Sequence, residues 1–259
     1  MTGDGSNETL IQPGVFLDRG VLISLFHFWD ACKAADADDR LHELSKWKDL
    51  KAALDSAGVD TDGMKQTRNI NRGMKAFQSL TGSFSDHHCF SSRVCWSELH
   101  HTLLEARALE ALVGQGVPQS LRAKRPLLMY RAALRESDYN KLNDQFNTFR
   151  DSLNIDYGID VIDVEDPSRG LNVTAGDIWE AAREVWSYVL MDVLDAYVCA
   201  AALLVEAERL LSDDPVLRNV LEMLNDPSRD WTVLREALGV APDAVFPKPQ
   251  TPASSASGP

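Results

Sequence analysis

Four short stretches of the chain set a carboxylate beside apolar residues. They are Val15-Phe16-Leu17-Asp18, Ser92 through Glu98, Asp192-Val193-Leu194-Asp195-Ala196, and Leu210-Leu211-Ser212-Asp213-Asp214. A carboxylate at the margin of a core is costly unless its charge is compensated. Several drawn to one point would raise one another's pKa values until a cation on hard oxygen ligands neutralised them. Mg2+ or Mn2+ suits an oxygen-only set. Such a centre polarises a phosphate and lowers the pKa of a bound water, a route to phosphodiester hydrolysis. The chemistry therefore requires the four stretches to end at one place.

A parallel α/β sheet offers that place, because ligands bind beyond the carboxyl ends of its strands. Val15-Phe16-Leu17 reads as a strand, followed by a tight turn and a helix resuming at Val21. Cys89 to Val94 reads as a second strand. Leu99, Leu103, Leu104, Leu109 and Leu112 mark an amphipathic helix over Trp96 to Val113. A helical pair follows, Pro118 to Glu136 and Asp138 to Leu153. The alternation of Ile159 to Val164 predicts a third strand.

Thr174 can cap a helix starting near Asp177 and running to about Met191. A second helix covers Leu194 to Val205. Glu208 to Ser212 reads as a fourth strand, then a turn at Asp214-Pro215 and a helix to about Leu224. On this reading Asp18 and Asp214 follow strands. Glu98 lies on the first turn of the helix after the second strand. Asp195 lies near the start of the helix before the fourth. All four then face one edge of the sheet.

Strands separated by helices imply an α/β fold of three layers, α/β/α, around a central parallel sheet. The expected organisation is a disordered leader over 1–13, one domain over 14–246 and a disordered tail over 247–259. Within the domain, residues 30–86 form a polar helical insertion between the first strand-helix unit and the second strand. The 259 residues are 44% hydrophobic, enough for a sizeable core. Acids outnumber bases by 39 to 26, a formal net charge of −13. That is not the basic footprint of a nucleic-acid binder, so any such role needs bases concentrated locally.

The order of the acidic stretches resembles the PIN domain, the fold of the VapC-type toxin ribonucleases. Phe16-Leu17-Asp18-Arg19-Gly20-Val21-Leu22-Ile23 resembles its opening strand, acid and helix. Ser92-Arg93-Val94-Cys95-Trp96-Ser97-Glu98-Leu99 resembles its second acidic motif, and Asp195 through Leu203 its third. Glu208 through Asp214 resembles the fourth, with Asp214 in the acid position and Ser212 in the hydroxyl position. The matching segments cover about half the chain, and the last two form the most specific pair. The resemblance implies an endoribonuclease with Asp18, Glu98, Asp195 and Asp214 around one or two Mg2+ or Mn2+ ions. Asp192 and Asp213 are auxiliary acids on this reading, and Ser92 and Ser212 position substrate. It further implies a cytoplasmic protein, a toxin or defence ribonuclease acting on RNA, with an antitoxin or other protein partner and a homodimeric state. Two departures stand out. Gly20 occupies a position where the family carries Asn or Ser, and the interval from Asp18 to Glu98 is far longer than in the compact toxins. The Gly20 departure and the acidic total favour an alternative, a PIN-fold interaction module with impaired catalysis whose long helical insertion binds a protein.

Lys65, Arg68, Arg72 and Lys75 recur at three, four and three residues with no acid between them, which on a helix makes one basic stripe. Arg122, Lys124, Arg125, Arg131 and Arg135 form a second acid-free stretch. Either can hold RNA phosphates electrostatically, and either can equally be a solvated face. The four cysteines show no paired spacing and read as free buried thiols of a reducing compartment. His87, His88, His100 and His101 fit no structural zinc spacing. The polar N-terminus carries no secretory pattern. The apolar stretch Tyr188 to Val205 is interrupted by Asp192 and Asp195, so it reads as a buried helix and not a membrane span.

Overall fold

Val15, Phe16 and Leu17 are wholly buried, as befits the middle strand of a sheet covered on both faces. The computed structural model describes residues 14–37, 43–44, 46–59, 67–122, 133–239 and 245–251. The central strand β1 (Gly14–Leu17) pairs in parallel with β2 (His88–Ser91) on one side and β4 (Ala207–Leu211) on the other. β3 (Val161–Asp163) adds to β2, and β5 (Lys248–Gln250) adds to β4. The order is β3-β2-β1-β4-β5, all parallel, with helices on both faces in three α/β/α layers.

Ten helices are described. They are α1 (Arg19–Ala34), α2 (Trp47–Ser56), α3 (Thr67–Thr81), α4 (Arg93–Gly114) and α5 (Gln119–Arg122), then α6 (Glu136–Ile155), α7 (Ala175–Tyr188), α8 (Val193–Leu204), α9 (Pro215–Leu224) and α10 (Thr232–Ala237). Side-chain caps start several of them. Asp18 caps α1, Ser92 caps α4, Thr174 caps α7 in a reciprocal box with Asp177, Asp192 caps α8 and Asp214 caps α9.

The structure departs from the sequence reading in three places. The second strand stops at Ser91, because the Ser92 hydroxyl accepts from the Cys95 amide at 3.2 Å and turns Arg93 and Val94 into helix. The expected tail from residue 247 contributes β5 instead, and Pro249 is tolerated there because β5 is an outer strand. The segment 30–86 is helical as expected, with α2 and α3 between α1 and β2, but its start falls inside α1. Residues through Ala34 complete α1, and α3 lies tightly against α1. A Cβ on Gly73 would stand 1.9 Å from the Ser24 carbonyl oxygen, so only glycine permits that approach. The leader over 1–13 lies outside the described residues.

Cys32, Cys89, Cys95 and Cys199 are buried and in no disulfide, and burial pushes Cys89, Cys95 and Cys199 up to about 12. Those three are inert at neutral pH. α8 is buried from Ala196 to Leu203. Among the described residues no single helix is long and apolar enough to cross a membrane.

Candidate active site

From β1 the chain proceeds outward to β2 and β3, whereas β4 and β5 lie on the other side. The order reverses between β1 and β4, and a crevice at such a switch point is where open α/β sheets bind ligands. Asp18 follows β1 there, and Ser212, Asp213 and Asp214 follow β4. One oxygen of Asp18 accepts from the Arg19 amide at 2.6 Å, and the other accepts from the Ser212 hydroxyl at 2.7 Å. The same hydroxyl oxygen accepts from the Asp214 amide at 3.0 Å. Ser212, 194 residues from Asp18 in sequence, thus locks the first acid to the last. Burial pushes the pKa of Asp18 up, against the bonds from Ser212 and Arg19.

The other acids gather around this pair. Burial, followed by the charges of Asp214, Asp18 and Asp192, pushes Asp195 up to about 6, and Arg19 relieves it in part. Glu98 accepts from the Arg19 guanidinium at 2.6 Å. Burial opposes charge on Arg19, but Glu98, and then Asp18 and Asp195, outweigh it and hold the guanidinium pKa above its ordinary value. The four acids expected to converge therefore share one edge of the sheet. Arg19 is the cation among them. Its role escaped the sequence reading because its partner lies 79 residues away.

Several acids also serve the backbone. Asp214 accepts from the Val216 and Leu217 amides, and Asp192 accepts from Leu194. Asp213 turns toward α3, 3.5 Å from the Arg72 guanidinium. Asp195 makes no hydrogen bond among the described residues, which leaves it the acid most open to a ligand. Oxygen-only donors and mutual repulsion fit a hard divalent cation. Among the described residues no three His, Cys, Asp or Glu side chains are gathered as a ready chelate. Mg2+ does not require one, since it is commonly held by one or two carboxylates and keeps several waters.

The serines have other duties than direct substrate contact. Ser92 is fully buried and is spent on the α4 cap and the Cys95 thiol. Ser212 is fully buried too and acts through Asp18. A side chain at Gly20 would begin 3.7 Å from Asp18 Oδ2 and 3.6 Å from Asp213 Cβ, so an Asn or Ser there would overlook the first acid. Here that space is bare.

A second polar group on the same edge was missed. Glu165 accepts from the Arg93 amide and from the Tyr197 hydroxyl, and the Arg93 side chain lies 3.4 Å from Asp163. Burial and the Glu165 bond push the Tyr197 phenol up. Asp163 ends β3 much as Asp18 follows β1, and that was the available signal.

Of the basic residues, Arg68, Arg72 and Lys75 lie along α3 and line a cleft of about 650 Å³. Arg218 of α9 lines it from the other side. Lys65, Lys124 and Arg125, with Arg131, lie outside the described residues, as does the side chain of Arg122. Arg135 precedes α6, where its backbone amide donates to Asp138. The histidines are dispersed. His100 bonds Asn143 at 2.8 Å, His101 lies 3.7 Å from Glu105 and His87 lies 3.9 Å from Glu208. Trp29 and Trp96 are core residues, whereas Trp179 and Trp186 are exposed.

No protein-family model, no curated protein and no solved structure matches this chain.

Proposed function

We propose that the chain is a PIN-like, Mg2+- or Mn2+-dependent endoribonuclease that hydrolyses RNA at the edge shared by Asp18, Glu98, Asp195 and Asp214. The observation that carries this reading is the placement of Asp18, linked through Ser212 to Asp214, beside Asp195, whose carboxyl is pushed up to about 6 by burial and then by Asp214, Asp18 and Asp192. Perturbed carboxylates in a switch-point crevice mark functional sites more often than structural ones. Asp18, held by Ser212 and the Arg19 amide, presents a fixed carboxylate. Asp195 presents one free of hydrogen bonds among the described residues, and Asp214 keeps Oδ2 while Oδ1 caps α9. A divalent cation bound there supplies Lewis-acid polarisation of the scissile phosphate and a more acidic water. A toxin or defence ribonuclease of the cytoplasm, dimeric and restrained by a protein partner, is the biological setting this implies.

Asp18→Asn is expected to abolish RNA cleavage while leaving the unfolding midpoint near that of the wild type. Undiminished cleavage by that variant removes the assignment. A second reading has its own support. The Arg19–Glu98 ion pair supplies countercharge without a metal, and Gly20 leaves the first acid without a flanking side chain. Both suit a PIN-fold interaction module with impaired catalysis. Mn2+ binding measured by calorimetry, together with RNA cleavage, separates the two. Binding with cleavage supports the nuclease, and neither supports the module.

A further inference from the structure

We propose that the cleft between α3 and α9 is a phosphodiester subsite that holds the backbone of single-stranded RNA beside the acid cluster. The proposal rests on the ribonuclease reading for its choice of polymer, but its geometry stands independently. Arg68, Arg72 and Lys75 fall at i, i+4 and i+7 on one face of α3, and Arg218 faces them from α9. Among the described residues Asp213 is the one acid lining the cleft, where Arg68, Arg72, Lys75 and Arg218 oppose it. In a chain with 39 acids and 26 bases, cations usually find partners. Among the described residues neither Arg68 nor Lys75 has an ion-pair partner, and both are exposed. A solvated helix face has no reason to be concave or to be faced by an arginine from another helix.

The cleft is continuous with the acid edge. Arg72 lies 3.5 Å from Asp213, and the Arg218 Nε donates to the Asp214 carbonyl at 3.4 Å. Gly20 lies between Asp213 and Asp18 and adds no side chain to the path. A strand crossing the acid edge therefore passes over Gly20 into the cleft. Three of the four cations are guanidiniums, whose planar forks match phosphate oxygens two at a time. Asp213, with one buried oxygen that has no hydrogen bond, opposes the phosphate and competes for Arg72. The three described cations of the sequence stripe thus gain Arg218 from another helix, a direction toward the acids and an internal competitor.

The test is binding of a fluorescent oligouridylate to the full chain in EDTA, read by anisotropy between about 50 and 200 mM KCl. Arg68→Ala with Lys75→Ala is expected to raise Kd about tenfold and flatten the log–log salt slope by about 1.4, which is 0.7 for each single-strand phosphate lost. Arg218→Gln should weaken binding in the same direction, and Asp213→Asn should tighten it a few-fold. Far-UV circular dichroism verifies that each variant is folded. An unchanged Kd and slope in the folded double variant would overturn the proposal, as would equal displacement of RNA by polyglutamate, which would make the cleft an acidic-peptide site. Because binding is read without divalent cation, a protein that fails to cleave RNA but shows these shifts loses the nuclease reading and keeps the subsite.

Discussion

Replacing Asp195 by Asn should make the protein more stable at neutral pH while removing a proposed ligand. In the folded chain this carboxyl is pushed from 3.8 to about 6, by burial first and then by Asp214, Asp18 and Asp192. At about 1.4 kcal/mol for each pKa step, the full displacement corresponds to about 3 kcal/mol. Partial solvation and screening reduce that to about 1–2 kcal/mol. The sign follows from proton binding. Between pH 4 and 6 the folded state holds a proton that the unfolded chain has released, so stability falls as pH rises through this window. Above about pH 6 the penalty is complete, and below about pH 4 it is absent. Urea unfolding of Asp195→Asn should therefore show a gain of about 1–2 kcal/mol near pH 7.5 that fades by pH 4. The thermal midpoint should rise by about 2–6 °C. Mn2+ should stabilise the wild type more than the variant, because a cation that binds only the folded state removes the same repulsion. A variant that is destabilised near pH 7.5, or equally stabilised at both pH values, would refute the reasoning.

Three further substitutions probe the same architecture. Ser212→Ala removes the bonds to Asp18 Oδ2 and from the Asp214 amide in a fully buried place. It should cost about 1–3 kcal/mol in urea unfolding, and a cost below about 0.5 kcal/mol would mean the acids hold their places unaided. Gly73→Ala puts a methyl 1.9 Å from the Ser24 carbonyl oxygen and 2.8 Å from Phe28 Cβ. It should cost at least about 2 kcal/mol, and an unshifted midpoint would contradict the tight α1–α3 seam. Arg19→Gln frees Glu98 from its 2.6 Å partner and should tighten Mn2+ binding two- to fivefold by calorimetry, about 0.5–1 kcal/mol for a half-exposed pair. Weaker binding would show that the guanidinium helps to assemble the cation site instead of competing with it.

What the sequence revealed and what it hid divide along physical lines. β1, α7, α8 and α9 were legible because each carries its own local signal. These are a fully apolar run at Val15–Leu17, the Thr174–Asp177 capping box, the apolar run Ala196–Leu203 of α8 and the Asp214-Pro215 start of α9. The boundary between β2 and α4 was not, because β-branched Val94 shortly after Cys89-Phe90 reads as strand until Ser92 is seen to cap. β5 was hidden because Lys248-Pro249-Gln250 carries no strand propensity and exists only through pairing with Arg209, Leu210 and Leu211. In the site, the acids were visible as residue types beside apolar runs. Arg19 with Glu98, and Glu165 with Tyr197, are contacts between distant segments that no spacing rule reports.

The last strand has a practical consequence for anyone who shortens this chain. β5 brings the Gln250 carbonyl to the Ser212 amide at 3.1 Å, so it braces the residue that aligns Asp18. It also works as a selvedge. Pro249 has no amide to offer a neighbour and Lys248 brings charge, and both discourage another molecule from adding a strand. Cut away, it would bare the main-chain groups of Leu210 and Leu211, two residues now fully covered. Lys248–Gln250, in a stretch that composition dismisses as ragged, thus covers an edge of β4 that would otherwise be open to another strand.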